Sequence, residues 1–132
     1  MKIVAKLLIK NGQDFLLMYR ISHPTFGIDP DLPGGTAENN DSTLSTMLRE
    51  VYEEVGLKLH EDQVVEIYAG NDYSKNGTFY SLFTIDMPKR PEIIISWEHS
   101  SFEWISKEEF IKKTKTANDT YMHMVSDALA SS

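Results

Sequence analysis

The sequence predicts an α/β fold, because strand-like segments alternate with segments of helical periodicity. Residues 3–9 and 15–21 have strand composition and flank an Asn-Gly pair, which is typical of a tight hairpin. Residues 42–55 place apolar side chains along one face of a helix. That stripe consists of Leu44, Met47, Leu48, Val51 and Val55.

Length and composition are those of one ordinary globular domain, which we expect to span residues 1–132. With 41% hydrophobic and 25% charged residues, the chain has no apolar stretch of membrane-spanning length. Lys6 interrupts the first apolar run, which predicts a strand and not a signal peptide. The absence of cysteine excludes disulfides and thiol catalysis and fits a cytoplasmic location.

The net charge of −7 and the pI near 5.0 argue against extended nucleic acid as a partner. Binding to long DNA or RNA draws most of its non-specific affinity from a broad basic surface. A small polyphosphate remains compatible with the charge, because metal ions and a few local arginines are able to supply positive charge at one point.

Further along the chain, residues 64–69 and 79–85 are predicted to form a second antiparallel pair. Residues 93–95 are predicted to be a buried strand. In the proline-containing loop 22–31, His23 is interpreted as a loop histidine, and Phe26 either stacks on a base or covers the core.

Two short helices are predicted to end the chain. Ser106 begins a capping box, which predicts a helix to about Lys113. The last helix is introduced by Asn118 and Asp119, either of which is a candidate N-cap. Its apolar stripe consists of Tyr121, Val125, Ala128 and Leu129.

Glu50, Glu53 and Glu54 lie in the C-terminal half of the first helix, where local physics disfavours them. Glu50 and Glu54 repel each other at i, i+4, and the helix dipole is unfavourable for anions there. A solvated acidic face is one interpretation. A hard cation such as Mg²⁺, which prefers carboxylate oxygens, is the other.

The wider spacing closely resembles the Nudix box, G-x5-E-x7-R-E-U-x-E-E-x-G-U, in which U is a bulky aliphatic residue. The matching residues are Gly35 and the stretch Arg49-Glu50-Val51-Tyr52-Glu53-Glu54-Val55-Gly56-Leu57, and Leu32-Pro33-Gly34 precedes them. Asp41 departs from the family Glu. Because an Asp before a helix is a good N-cap, we expect this position to be structural.

The resemblance implies the Nudix α/β/α sandwich, with a mixed β-sheet between the box helix and the C-terminal helices. It also implies Mg²⁺-dependent hydrolysis, with Mn²⁺ as a possible substitute, of a pyrophosphate linkage in a nucleoside diphosphate derivative. A nucleoside triphosphate or related nucleotide is the expected substrate, and water is the nucleophile. A non-catalytic nucleotide sensor with the same fold is the alternative.

The resemblance also implies a set of site residues. The metal ligands would be the Gly34 carbonyl and the carboxylates of Glu50, Glu53, Glu54 and Glu98, with Glu53 acting through water. The catalytic set is Glu53, Arg49 and Glu98. Arg49 would orient Glu53 from one turn away, and either Glu53 or Glu98 would be the general base. His99, next to Glu98, is expected to hydrogen-bond locally.

Arg20 and Asn118 are the predicted substrate-binding residues. Arg20 is either a solvated arginine at a strand end or, as the resemblance implies, a contact to substrate phosphate. Asn118 either caps the last helix or reads a purine edge, since an amide offers both donors and acceptors. The partner is thus a small nucleotide or other diphosphate, without a membrane or extended nucleic acid, and the oligomeric state is left open.

Overall fold

A computed structural model describes residues 1–21, 24, 27–38 and 40–132. His23 and Phe26 lie outside the described residues. The strands and helices are β1 Ile3–Asn11, β2 Asp14–Arg20, β3 Pro30–Asp31, β4 Gly34–Thr36, α1 Thr43–Val55, β5 Val65–Gly70, β6 Phe79–Asp86, β7 His99–Ser106, α2 Lys107–Thr114 and α3 Thr120–Ala130. A 3₁₀ turn at Glu61–Gln63 lies between α1 and β5.

The strands form one mixed sheet. β1 pairs in parallel with β6 over the whole length of β6, from Ile3 opposite Phe79 to Lys10 opposite Asp86. β5 is antiparallel to β6, as predicted, and β7 is antiparallel to β2. Parallel and antiparallel pairs in one sheet with three helices confirm the predicted α/β class.

Helices cover both faces of the sheet, which confirms the predicted sandwich. On one face, Met47, Val51 and Val55 of α1 pack against alternate residues of β1. On the other face, α2 and α3 cover Leu8 of β1 and Leu17 of β2. Within the stripe predicted for α1, Leu44 and Leu48 are only partly buried.

The two strands of the first hairpin separate beyond their turn. β1 and β2 pair only at Lys10–Phe15 and Asn11–Asp14. The segment that contains β3 and β4 fills the opening, since β3 pairs with β2 and β4 pairs with β1. The Leu7 N–H donates to the Pro33 carbonyl at 2.9 Å, which fixes this insertion. The opening gives α1 side chains access to the opposite face of β1.

Helix ends follow the predicted chemistry with one correction at α1. The Ser42 hydroxyl accepts from the Ser45 N–H at 3.0 Å, so Ser42 is the N-cap and the prediction of Asp41 was wrong. Gly56 ends α1 in the left-handed conformation, as predicted. Ser106 caps α2, and Asp119 caps α3 by accepting from the Tyr121 N–H.

Two other local predictions also need correction. Asn11 is paired with Asp14, so the hairpin turn is formed by Gly12 and Gln13 and lies one residue later than expected. Residues 93–95 form no strand. Their β-propensity is overridden because the backbone follows the end of α1, where the Ile94 N–H donates to the Val55 carbonyl at 3.1 Å.

Candidate active site

A cavity of about 810 Å³ lies at the opening between β1 and β2. It is lined by alternate residues of β1, by β4, by α1 and by the residues that precede and begin α3. Most of the predicted site residues line it, namely Arg20, Gly34, Glu50, Glu54, Glu98 and Asn118. Two predicted residues, Arg49 and Glu53, are not among the described residues that line it.

Gly34 and Gly35 bring the backbone against both β1 and α1. Gly34 has φ +146°, and an added Cβ would lie 2.3 Å from the Ala5 carbonyl oxygen. A Cβ on Gly35 would lie 2.8 Å from Cδ of Glu50. Glycine at these positions therefore permits the close approach of Gly34 to β1 and of Gly35 to the Glu50 side chain.

Glu54 is a buried carboxyl group on α1. It is only 4% exposed, and no lysine or arginine among the described residues forms an ion pair with it. Burial raises its pKa to about 9, against the opposing charge of Lys6 and with the help of the nearby carboxylates of Asp31, Glu98 and Glu50. A cation bound next to Glu54 would therefore stabilise its ionised form.

A buried charge network forms the floor of the cavity. Asp31 lies 2.5 Å from the Lys6 ammonium and 3.2 Å from Nη2 of Arg20, and Arg20 also reaches Asp119 at 3.1 Å. Burial alone would raise the pKa of Asp31, but Lys6, a hydrogen bond from His99 and Arg20 hold it well below its usual range. The interpretation of Arg20 as a solvated arginine was therefore wrong.

His99 joins this network from β7. Its Nε2 lies 2.9 Å from Oδ2 of Asp31, and its Nδ1 lies 3.9 Å from Oε1 of Glu54. The expected local hydrogen bond is therefore replaced by a contact across 68 residues of sequence.

Arg49 lies outside the cavity on the exposed side of α1. Its Nη1 is 3.1 Å from the Glu50 carboxylate and 3.8 Å from that of Glu53, and its Nη2 is 4.0 Å from Asp41. Arg49 therefore contacts Glu50 more closely than Glu53, the residue it was expected to orient. The Glu53 side chain is 55% exposed.

Glu98 is held at the cavity by its backbone. Its carbonyl accepts from the Ile21 N–H at 3.1 Å, and the Ser96 N–H donates to the Glu54 carbonyl at 3.0 Å. These bonds tie the loop before β7 to both β2 and the end of α1. Because they do so, carboxylates from separate parts of the chain face one cavity.

The start of α3 is fixed by Asp29. Its two carboxylate oxygens accept from the backbone N–H groups of Asn118 and Asp119, each at 3.0 Å. Since Asp119 is the N-cap, Asn118 does not have the capping role that was its alternative. Asn118 is exposed and lines the cavity, and base recognition by it stays a prediction.

The oxygen donors suit Mg²⁺, which prefers carboxylate and carbonyl ligands. The buried Glu54 carboxyl supports this fit, because a cation would stabilise its charged form. Within the part of the chain that the structure describes, no three acidic or histidine side chains converge closely enough to enclose an ion. The donors thus share a cavity without already forming a closed cage.

A family model described as the NUDIX domain matches residues 2–125. The chain belongs to the Nudix family. This match confirms the resemblance to the Nudix box that the sequence shows between Gly35 and Leu57. A comparison with curated protein sequences finds no match.

Solved structures share the Nudix fold at low sequence identity. A dihydroneopterin triphosphate pyrophosphohydrolase from E. coli has a TM-score of 0.71 at 18% identity, with 98% of this chain and 92% of that chain covered. A bifunctional NMN adenylyltransferase/ADP ribose pyrophosphatase from Francisella tularensis, complexed with AMP and a Mn ion, has a TM-score of 0.68 at 22% identity and coverage of 93% and 39%.

A third structure is a MutT/nudix family protein from Enterococcus faecalis, with a TM-score of 0.67, 20% identity and coverage of 80% and 43%. This chain therefore spans less than half the length of two of the three. None of the helices in the described part of the chain has the length and hydropathy of a membrane span.

Sequence reasoning missed several residues of this Nudix site, chiefly Lys6, Asp29, Asp31, His99 and Asp119. Lys6 carried a usable signal, because a lysine inside an apolar strand is rarely buried unless it is paired. The aspartates carried none, since loop aspartates are ordinarily solvated. Apart from the Arg20 contact of Asp31 and the cap that Asp119 forms on α3, their partners are 25 to 99 residues away in sequence.

Proposed function

We propose that this protein is a Mg²⁺-dependent Nudix hydrolase that cleaves a pyrophosphate linkage in a nucleoside diphosphate derivative, most simply a nucleoside triphosphate or related nucleotide. We further propose that residues 1–132 act as one Nudix domain in the cytoplasm. Mn²⁺ is an expected substitute for Mg²⁺. The partner is the small nucleotide, without extended nucleic acid or a membrane.

One observation carries the proposal. Glu54 is buried at 4% exposure in a cavity shared with Glu50, Glu98 and the Gly34 backbone, and its pKa is raised to about 9. The cations of the cavity floor are already engaged, since Lys6 and Arg20 are paired with aspartates. A phosphate group that binds next to these carboxyl groups is therefore repelled by them unless a cation accompanies it.

The proposed ligands of that cation are the carboxylates of Glu50, Glu54 and Glu98 and the Gly34 carbonyl. Glu53, on the exposed side of α1, is proposed to contribute through a water molecule. When bound, Mg²⁺ supplies positive charge that offsets the negative charge developing on the phosphates. Arg49 holds the Glu50 carboxylate from outside the cavity through its 3.1 Å contact.

The reaction is the attack of water on a phosphorus atom. A bond forms from the water oxygen to phosphorus, the anhydride oxygen leaves with the bonding electrons, and a carboxylate takes the proton of the water. Of the two candidate bases, Glu98 lines the cavity and Glu53 does not. This favours Glu98 as the base, since a general base needs hydrogen-bond reach to the proton it removes.

The remaining cavity suits the rest of a nucleotide. Val4 and Lys6 of β1 and Lys2, just before the strand, line it at every second position, so it runs about 13 Å along the chain. Its far end is lined by Lys2, Lys75, Asn76 and Thr78. A volume of about 810 Å³ lies within the range of small-molecule sites. We propose that the pyrophosphate binds at the acidic end and that Asn118 contacts the base.

The test is a hydrolysis screen over nucleoside triphosphates, ADP-ribose, dinucleoside polyphosphates and capped RNA ends, each with Mg²⁺ and with excess EDTA. Reaction in ¹⁸O-water should transfer one ¹⁸O atom to a phosphate-containing product. No hydrolysis of any class, combined with a rise in Tm on adding one of these nucleotides, would favour the sensor alternative and refute the hydrolase.

A further inference from the structure

The two ends of the cavity differ in charge. One end holds the carboxyl groups of the proposed metal site, whereas the far end is lined by Lys2 and Lys75. Both lysines are exposed, and neither ammonium group forms an ion pair within the described part of the chain. The lysine and the arginine of the cavity floor, in contrast, are both paired with aspartates. The far end thus presents two positive charges that no carboxylate of the described chain neutralises by direct contact.

The backbone holds Lys2 in line with β1. The Phe79 N–H donates to the Lys2 carbonyl at 2.8 Å, which continues the pairing of β1 with β6 by one residue. Side chains alternate along an extended strand, so Lys2 lies on the same face as Val4 and Lys6, and all three line the cavity. Lys2 is roughly 13 Å from Lys6 along the chain. This distance leaves room for a nucleoside between the two ends of the cavity.

Lys75 belongs to a turn that side-chain hydrogen bonds hold in shape. Oδ1 of Asn76 accepts from the Ser74 hydroxyl at 2.8 Å and from the Thr78 hydroxyl at 2.6 Å. The Thr78 N–H donates to Oγ of Ser74 at 2.7 Å, and Gly77 has a left-handed φ of +80°. Because the turn uses the Asn76 oxygen, Nδ2 is left as a donor group, and Asn76 lines the cavity with Lys75.

Glu38 is the acid that the strand register brings toward this end. Val4 is opposite Thr36 in the antiparallel pair of β1 and β4. The same register, continued by two residues, places Glu38 opposite Lys2, and Glu38 also lines the cavity. Two lysines and one glutamate give the far end a net positive charge, which is the opposite of the charge at the metal site.

We propose that the far end of the cavity binds a phosphate group on the ribose of the substrate, separated by the sugar from the pyrophosphate that is cleaved. The inference rests on the proposed function, because it takes the ligand to be the nucleotide that is cleaved at the acidic end. A phosphate monoester carries a charge of about −1.5 to −2 at neutral pH and offers strong acceptor oxygens. The two ammonium groups and the Asn76 amide match that charge and supply donors to those oxygens.

The test is calorimetric titration of the full chain with AMP, adenosine 2′,5′-bisphosphate and adenosine 3′,5′-bisphosphate. EDTA is present throughout, so the metal site contributes equally little to all three titrations. The readout is the ratio of the Kd for AMP to the Kd for each bisphosphate. Two contacts between exposed charges should make this ratio about 10 for at least one bisphosphate, and the comparison of the two identifies the ribose position. The ratio should fall as NaCl is added, because salt screens exposed charges.

Five variants assign the preference to the far end. Lys2→Gln and Lys75→Gln should each lower the ratio by about 3-fold, and the double variant should bring it close to one. Asn76→Asp keeps the oxygen that the turn uses and replaces the amide donors by a negative charge, so it should lower the ratio as well. Glu38→Gln should raise it, since it removes the acid opposite Lys2. Lys58→Gln is the matched control, because Lys58 is exposed and is not among the described residues that line the cavity.

Equal Kd values for AMP and both bisphosphates in the wild type would overturn the inference, and so would a failure of both bisphosphates to bind at millimolar concentration. A ratio that survives the double lysine variant would also overturn it, because the phosphate would then bind elsewhere. The hydrolysis screen is independent of these titrations. Hydrolysis without the bisphosphate preference would refute this inference alone, whereas the preference without hydrolysis of any nucleotide would refute the proposed function and support the phosphate site.

Discussion

Asp31→Asn is the most informative perturbation of the buried network. The wild-type carboxylate faces Lys6, Arg20 and His99, and its side chain is 4% exposed. The amide removes the negative charge and leaves the cations of Lys6 and Arg20, of which only Arg20 retains a carboxylate partner, Asp119, among the described residues. Breaking a buried ion pair by removing one partner costs about 3–5 kcal/mol.

That cost translates into a measurable change in Tm. At 132 residues the entropy of unfolding is roughly 0.28 kcal/mol/K, so the loss corresponds to roughly 11–18 °C. The variant should still fold, because domains are ordinarily stable by about 5–15 kcal/mol. Urea denaturation gives the free energy of unfolding and calorimetry gives Tm.

Asp14→Asn is the matched control. Asp14 and Arg90 form an ion pair at 2.6 Å, but their side chains are 38% and 47% exposed. An exposed pair contributes less than about 1 kcal/mol. Equal and small losses in Asp31→Asn and Asp14→Asn would refute the claim that the network stabilises the fold.

The pH dependence gives a second check on Asp31. Its folded-state pKa lies below its unfolded-state pKa, which is ~4. The stability it contributes is therefore complete above about pH 4 and is lost as the pH falls toward the folded-state pKa. The difference between wild type and Asp31→Asn should accordingly be largest at neutral pH and shrink below about pH 4.

Two further variants test other parts of the site. Asn118→Ala should raise KM for purine nucleotides more than for pyrimidine nucleotides, and equal changes in steady-state kinetics would argue against base recognition. Gly34→Ala should lower the free energy of unfolding in urea by about 3 kcal/mol or more, because φ is +146° and the new Cβ would meet the Ala5 carbonyl oxygen at 2.3 Å. Wild-type stability in Gly34→Ala would mean that the backbone around residue 34 moves away from β1 without a loss in the free energy of unfolding.

The box helix was predictable because its determinants are local. The stripe of α1, the Gly56 cap and the two i, i+4 carboxylates are read from fewer than twenty consecutive residues. The N-cap was displaced by one residue because Asp41 and Ser42 are both good caps. Only the backbone geometry of the turn before α1 decides between them.

The floor of the cavity was not predictable because it depends on long-range contacts. Asp31 meets Lys6 across 25 residues and His99 across 68. The opening between β1 and β2 brings them together, and no local pattern indicates that a hairpin will separate beyond its turn. The isoleucines of residues 93–95 show the opposite error, since local propensity predicted a strand where the backbone instead bonds to the end of α1.

The central claim is that Glu54 exists to hold a cation for phosphate chemistry, and Glu54→Gln tests it most directly. At pH 7 the metal-free wild type carries a neutral Glu54, since its pKa is about 9, so a neutral Gln should keep the fold and the metal-free Tm. Mg²⁺-dependent turnover should fall by about 100-fold or more, because a metal contributes several kcal/mol to catalysis. Turnover near the wild-type value in a folded Glu54→Gln protein would contradict the account.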